Sequence, residues 1–232
     1  MTFLNFMGFK DLKSPAENLK ESYFTFNNPT VGTGIALNAD PTAISATESC
    51  LIIDNSGTRT NGDNQSIHLD YIRLTCTDAG TGATSARLAF YIDNINRYSS
   101  GGQELTGKST SYDTTSSYTD RTPKAKVYFG DLTATSESSA KHIATRLIKN
   151  DTTVAPCFAV DDVFTLKTDS TSIGGANSFD SAGVVDSVFS LPPIYIYAGC
   201  SLIVAPLFPS QSASASFEIE VGLIEHGHRQ NS

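Results

Sequence analysis

The sequence predicts an all-β protein, an antiparallel β-sandwich of jelly-roll type with a short N-terminal arm and helix. Three observations lead to this prediction. Serine and threonine are abundant, with 28 and 26 copies among 232 residues, a composition unlike that of helical bundles. Short segments alternate apolar and polar residues with a period of two. Turns rich in Gly, Ser, Asn and Asp separate these segments without intervening helical patterns, which favours antiparallel strands over a parallel sheet.

Composition and charge exclude several functional classes. Hydrophobic residues make up 39% of the chain, enough to build a folded core. The longest apolar runs fall well short of the roughly 18 residues that a membrane helix needs, so we expect no membrane contact. A net charge of −8 argues against nucleic-acid binding, because neutralising phosphates requires clustered Lys and Arg.

The alternation marks most of the predicted strands individually. These segments are Thr47–Asp54, Ser66–Thr77, Ser85–Asp93, Ala125–Thr135, His142–Lys149, Asp162–Thr168, Pro193–Tyr197, Leu202–Leu207 and Ala215–Glu225. The apolar residues before Asp70 are out of phase with those after Tyr71, which indicates a β-bulge at this point. Ile194–Tyr197 and Leu202–Ala205 flank an Ala-Gly turn, a pattern typical of a hairpin.

Two parts of the chain are expected: an N-terminal arm with a short helix over residues 1–22, and a single β-sandwich domain over residues 23–232. Ser14-Pro15-Ala16-Glu17 is a helix-start signal, with a capping Ser and a Glu three residues later. Phe3, Phe6 and Phe9 make the arm apolar, so it packs on its own domain or docks on a neighbouring subunit. No basic segment precedes these residues, so no secretion signal is expected.

The four cysteines, Cys50, Cys76, Cys157 and Cys200, are widely spaced and form no CxxC pair. Zinc ribbons and redox sites of the thioredoxin type need close pairs, so neither is expected. Most of these cysteines lie in or beside apolar segments, which favours reduced thiols in the core. Two disulfides in an exported domain are the alternative.

Residues that could carry catalysis do not form a recognisable motif. The sequence lacks the signatures of serine hydrolases, zinc proteases, P-loops and dinucleotide-binding folds, so we expect no enzyme activity, cofactor or metal. His226 and His228 near the C-terminus favour a solvated tail over a metal site. Glu218 and Glu220 lie on one face of one strand, whereas glycosidase carboxylates flank a cleft, so they indicate a charged outer face.

A long polar segment, Asn94–Asp120, is predicted as a loop, and loops of this length are often functional. Tyr98, Tyr112 and Tyr118 lie within it and could stack on a ligand such as a glycan. Loop tyrosines also anchor loops by packing, and the chain contains no Trp. These tyrosines, together with the phenylalanines of the arm, are the candidate interaction residues.

Three stretches resemble virion structural proteins of tailed bacteriophages. The first runs from Ile67 to Thr84 and contains the sequence IHLDYIRLTCT. The second runs from Leu88 to Gly102 and begins with LAFYIDN. The third runs from Leu191 to Gly222, with LPPI near its start and FEIEVG at its end.

This resemblance implies a jelly-roll subunit that acts as a capsid decoration or cement protein. Its implied partners are the major capsid protein and further copies of itself in a homotrimer, and its implied location is the virion, assembled in the host cytoplasm. The alternative that the resemblance allows is a tail, receptor-binding or carbohydrate-binding module, with a glycan as partner. The N-terminal arm and the long polar segment after Gly102 are not part of the resemblance.

Overall fold

The regular secondary structure of the described residues consists of β-strands. A computed structural model describes residues 23–38, 43–56, 66–109, 123–136, 139–150, 155–168, 178–179 and 185–226. Within these ranges there are 14 strands and no helix, which confirms the predicted all-β class. The arm and helix predicted for residues 1–22 lie outside the described residues.

Every strand predicted from alternation is present, with ends shifted by at most two residues. The strands are β1 (Tyr23–Asn27), β2 (Ile35–Ala36), β3 (Glu48–Asn55), β4 (Ser66–Asp78), β5 (Ser85–Asp93), β6 (Tyr98–Ser109), β7 (Ala125–Ala134), β8 (Lys141–Asn150), β9 (Val163–Thr168), β10 (Ser178–Phe179), β11 (Val185–Leu191), β12 (Tyr195–Tyr197), β13 (Ser201–Leu207) and β14 (Ser216–His226).

The strands join into one large mixed sheet. Its order is β10-β11-β9-β4-β14-β1-β6-β7-β3-β13-β5-β8, with β12 added beside β4 and β2 beside β14. Among the described strands only β9 and β11 pair in parallel. The sheet curls into a nearly closed, barrel-like shape, and at its open side the Arg146 Nε of β8 donates a 2.6 Å hydrogen bond to the Ser190 carbonyl of β11.

The inward faces of the strands enclose one continuous apolar core. The alternation predicted for β14 is confirmed, because Phe217, Ile219, Val221 and Leu223 are all buried. Phe158, which lies between strands, packs edge-on against three other phenylalanine rings with centroids 5.1–5.9 Å away. Burying each such ring contributes about 1.5–3 kcal/mol, so the core supplies most of the drive to fold.

The predicted bulge is confirmed, whereas the predicted hairpin is wrong. Gly222 pairs with Tyr71 and Leu223 with Leu69, which leaves Asp70 as the extra residue of β4. Strand β12 pairs with β4 and not with β13, which lies between β3 and β5. The turn between them therefore connects two regions of the sheet. Strand β12 lies beside β4, where Ile196 is buried in the core, and β13 lies between β3 and β5.

The prediction of a loop over Asn94–Asp120 is wrong for Tyr98–Ser109, which form β6. This strand is mostly exposed and buries Leu105 as its inward anchor, so it lacks the alternation that marks the other strands. Gly101 and Gly102 have positive φ angles of 84° and 58°, and the register with β7 shifts beside them. These bulges allow a glycine-rich segment to pair along an otherwise regular neighbour.

All four cysteines are buried and free of disulfides, which agrees with the prediction of core thiols. Burial raises the pKa of Cys50 to about 12. It also raises the pKa of Cys76 to about 12, with a smaller contribution from nearby Asp162. Thiols of this kind are poor nucleophiles at neutral pH and act as small apolar side chains.

Candidate interaction surfaces

The structure describes only one of the six predicted interaction residues. Tyr98 stacks face to face on Tyr128 with ring centroids 3.6 Å apart, and its hydroxyl donates a 3.1 Å hydrogen bond to the Gly101 carbonyl. Its ring is therefore used in packing against the sheet. Tyr112 and Tyr118 of the predicted loop, and Phe3, Phe6 and Phe9 of the arm, lie outside the described residues.

Sequence reasoning missed a buried polar cluster, which we call the Arg97 network. It consists of Arg97, Asp93, Asp54, Ser139 and Ser201. The Arg97 guanidinium forms an ion pair with Asp93, and both side chains are fully enclosed. Ser139 Oγ donates a 2.6 Å hydrogen bond to Asp93, and Ser201 Oγ donates a 2.5 Å hydrogen bond to Asp54. The network connects the ends of β3, β5 and β13 to the start of β6.

The two carboxyl groups of the Arg97 network titrate in opposite directions. Burial alone raises the pKa of Asp93, but hydrogen bonds from Ser139 and Arg97 outweigh it, so the net pKa is lowered. For Asp54, burial dominates and raises the pKa, and the hydrogen bonds from Ser201 and the backbone only partly offset it. Asp93 is therefore the charged partner of Arg97. Arg97, Asp93, Asp54 and Ser201 are buried and Ser139 lies at the exposed edge of the cluster, so its charged groups serve to hold the fold.

The outward face of β1, β4 and β12 carries a group of aromatic side chains. We call it the tyrosine face, and it consists of Tyr23 on β1, His68 and Tyr71 on β4, and Tyr195 and Tyr197 on β12. Tyr195 and Tyr197 are 43% and 58% exposed. The Tyr195 ring lies nearly parallel to the imidazole of His68, with centroids 4.6 Å apart and planes 11° apart.

Hydrogen bonds fix the tyrosines at the centre of this face. Tyr23 Oη donates a 2.8 Å hydrogen bond to Asp70, the extra residue of the bulge. Tyr71 Oη donates to Glu220 on the neighbouring strand. A Cβ at Gly222 would lie 2.3 Å from Tyr23 Oη and 2.4 Å from Tyr71 Cε1, so both rings extend over this glycine. The bulge and the glycine therefore decide where the two rings lie.

The surroundings of Tyr23 and Tyr71 raise both phenol pKa values. Burial is the largest cause in each case. The hydrogen bond to Asp70 adds to the rise for Tyr23, and the hydrogen bond to Glu220 adds to it for Tyr71. Both phenols therefore stay protonated at neutral pH and act as hydrogen-bond donors.

Glu218 and Glu220 lie on the same outer face of β14, as the alternation predicts. The Gly32 amide donates to Glu218 and thereby attaches the loop after β1 to the sheet. Asn28 strengthens this attachment, because its Oδ1 accepts a 2.8 Å hydrogen bond from the Ile219 amide and its Nδ2 donates to the Thr33 carbonyl. The result is a cleft of about 520 Å³ between this loop and the outer side of β4, β14 and β6.

The two histidines whose side chains the structure describes lie in different parts of the sheet. His68 belongs to the tyrosine face, and His142 Nε2 lies 2.8 Å from Thr145 Oγ1 on β8. The side chains of His226 and His228 are not among the described ones. The described residues contain no group of three or more His, Cys, Asp or Glu side chains placed to hold a metal ion.

A second exposed surface lies where the two ends of the sheet approach each other. We call it the β8–β11 seam and define it by Ile143 and Leu147 on β8 and Val188 on β11. All three are large apolar residues that remain exposed, while Ala144 and Ile148 of β8 point into the core. Strand β8 pairs with β5 on one side and with no described strand on the other. Exposed apolar residues beside a free strand edge are typical of protein contact surfaces.

No helix in the described ranges has the length and apolar character that crossing a membrane requires. Comparison of the chain with protein-family models, with curated proteins and with solved structures finds no match.

Proposed function

We propose that the chain is a non-enzymatic virion structural protein, a capsid decoration or cement subunit that stabilises the head by bridging neighbouring capsid subunits. The observation that carries this proposal is the β8–β11 seam, where Ile143, Leu147 and Val188 are exposed beside the edge of β8 that no described strand pairs with. A surface of this kind favours contact with another protein chain.

The proposed mechanism is burial and hydrogen bonding between subunits. Covering the seam removes apolar area from water, at roughly 25 cal/mol per Å². The free N–H and C=O groups of β8 can pair with a strand of the partner. The partners are the major capsid protein and further copies of this chain in a homotrimer, because closed symmetry is the usual arrangement of repeated subunits.

The finer fold proposal is a jelly-roll-like sandwich formed by the two halves of the curled sheet. Its support is a small apolar cavity in the core, which is lined from both halves at once. Leu74 of β4 and Phe217 of β14 line it from one half, and Leu88 of β5 and Ile148 of β8 line it from the other. Inner faces that meet in this way are characteristic of two packed layers.

The resemblance to tailed-phage virion proteins adds support. Its three stretches fall mainly on β4, β5, β12, β13 and β14, which build the core. We therefore propose the virion as the location, with assembly in the host cytoplasm. Membranes and nucleic acids are not among the proposed partners.

Mass spectrometry and cryo-electron microscopy of particles from the encoding virus test the location. We expect the chain in stoichiometric amounts on the outside of the head, at the boundaries between capsid subunits. Absence from the particle would overturn the proposal. Density at the tail tip would replace it with the receptor-binding alternative.

Native mass spectrometry of the full chain tests the contact surface. We expect a homotrimer for the wild type and monomers for Leu147→Lys, because a charge replaces an apolar contact at the seam. Val31→Lys is the matched control, since Val31 is exposed in the loop after β1 and outside the seam. A monomeric wild type, or a trimer that survives Leu147→Lys, would contradict the proposed contact.

A further inference from the structure

The tyrosine face and the cleft beside it have the composition of a ligand site. The cleft is lined by donor side chains (Arg73, Lys108), acceptor side chains (Glu218, Glu220) and side chains that can do both (Asn27, Thr75). Arg73 and Lys108 are exposed, and neither takes part in an ion pair among the described residues. Two cations and two carboxylates balance each other in charge, so the cleft favours a ligand without net charge.

Aromatic rings extend this polar cleft along the same outer surface. Tyr71 connects the two parts, because its hydroxyl donates to Glu220 at the edge of the cleft. Tyr195 and Tyr197 continue the surface at the far end of β4, where they pair with His68 and Ser66. Because they are two residues apart on one strand, their rings emerge on the same side, roughly 7 Å from each other.

We propose that this surface binds a neutral oligosaccharide. Sugar hydroxyls donate and accept hydrogen bonds, which matches the mixed polar lining, and the apolar C–H faces of sugar rings match exposed tyrosine rings. His68 and Arg73, which lie beside the two ends of the surface, are roughly 15 Å apart along β4. This length suits several linked sugars better than a single one.

Three side chains of the site, Tyr195, Tyr71 and Asn28, are held in place before a ligand arrives. Tyr195 rests on His68, and Tyr71 is fixed by Glu220 and by its position over Gly222. Asn28 clamps the loop that forms one wall of the cleft. A site with few side chains to immobilise loses less entropy on binding, so a modest number of contacts gives measurable affinity.

This inference goes beyond the structural role proposed above and does not depend on it. The oligosaccharide surface and the β8–β11 seam involve different strands, and no residue belongs to both. A monomeric chain could bind the sugar, and a chain that binds no sugar could still assemble on a capsid. The two proposals therefore fail separately.

A glycan array probed with the full-length chain tests the inference. We expect binding to neutral oligosaccharides, followed by calorimetric titration with the best neutral glycan found. Tyr195→Ala and Tyr197→Ala should each weaken that binding about tenfold, in line with the loss of an aromatic contact. Arg73→Ala tests the cleft end of the site and should weaken binding of oligosaccharides more than that of disaccharides.

Tyr91→Ala is the matched control, since Tyr91 is a partly buried tyrosine on β5 with no place on this surface. It should leave the affinity unchanged. Denaturant unfolding of every variant separates loss of binding from loss of folding. Absence of binding to any neutral glycan, selective binding of acidic glycans, or affinity that survives both tyrosine substitutions would overturn the inference.

Discussion

Hydroxyl groups donate to carboxylates both in the Arg97 network and at the tyrosine face, where Asp70 and Glu220 accept from Tyr23 and Tyr71, but the surroundings are opposite. Arg97 is fully enclosed, with an exposed fraction of 0%, whereas Tyr197 is 58% exposed. In the network, hydrogen bonds from Ser139, Ser201 and Arg97 are directed at two carboxyl groups inside the protein. In the cleft beside the face, Arg73 and Lys108 are exposed to solvent. The polar groups of the network therefore hold the fold, whereas those of the cleft remain at the surface.

The difference follows from where each cluster lies on the sheet. Asp93 ends β5, Ser201 begins β13 and Asp54 is the next-to-last residue of β3, and Ser201 registers beside both aspartates. The side chains at these positions are buried, so each charged group needs a hydrogen-bond or ion-pair partner inside the protein. The tyrosine face projects from the outer side of β1, β4 and β12, where Tyr195 and Tyr197 are exposed to solvent.

We expect Arg97→Met to destabilise the protein more than any other substitution considered below. Removing the guanidinium leaves Asp93 buried without its cation, and breaking a buried pair in this way costs about 3–5 kcal/mol. We expect the free energy of unfolding, measured by urea denaturation, to fall by that amount.

Arg73→Met is the matched control on the tyrosine-face side of the sheet. Arg73 is exposed, and substitutions at such positions change stability by about 0.5 kcal/mol or less. Similar losses for the two arginine variants would contradict the division into a structural cluster and an available surface.

A smaller effect is expected for Gly222→Ala on the tyrosine face. The new methyl group would lie too close to Tyr23 Oη and Tyr71 Cε1, so both rings must move outward and loosen their hydrogen bonds. We expect a loss of about 1–3 kcal/mol, measured by denaturant unfolding, because crowding of packed side chains has this cost. NMR spectra should show shifts at both tyrosine rings.

A variant that lacks both tyrosine rings provides the control for Gly222→Ala. The same substitution in a Tyr23→Ala, Tyr71→Ala background should cost less, since the clashing rings are gone. An equal cost in both backgrounds would show that the backbone alone requires glycine at this position.

The smallest effect is expected for Tyr71→Phe. At neutral pH the loss of one partly exposed hydrogen bond costs about 1 kcal/mol. The raised pKa of Tyr71 in the folded state means that its contribution is present below the unfolded pKa of about 10 and is lost as pH rises through the folded value. The stability of the wild type should therefore fall more steeply above pH ~10 than that of the variant.

Urea unfolding at pH values from about 8 to 11 measures this slope. Tyr197→Phe is the control, because it alters the most exposed tyrosine of the same face. Equal slopes for the wild type and Tyr71→Phe would contradict a Tyr71 pKa that is higher in the folded state than in the unfolded state.

Much of the fold was predictable because alternation reports burial directly. Phe217 and Leu223 point inward since a strand exposes successive side chains to opposite sides, and the phase change at Asp70 revealed the bulge for the same reason. Strand β6 escaped prediction because its exposed, glycine-rich sequence buries little apolar surface. Its hydrogen bonds with β1 and β7 hold it in the sheet, and local sequence does not encode such pairing.

The candidate surfaces were less predictable than the strands. The outward positions of Glu218 and Glu220 followed from the pattern of β14 alone. That Tyr195 lies beside His68 depended on β12 pairing with β4, although these residues are far apart in sequence. The expected hairpin with β13 would have placed Tyr195 elsewhere.

The all-β class, the positions of most strands and the inward or outward direction of their side chains were predictable from the sequence, because these depend on local periodicity. Which strands are neighbours depends on the tertiary structure. That arrangement enclosed Arg97 with Asp93, joined the tyrosines into one face and left one edge of β8 without a neighbour among the described strands. Neighbours are chosen by how inward side chains fill a common core, which is a property of the whole chain and not of any segment.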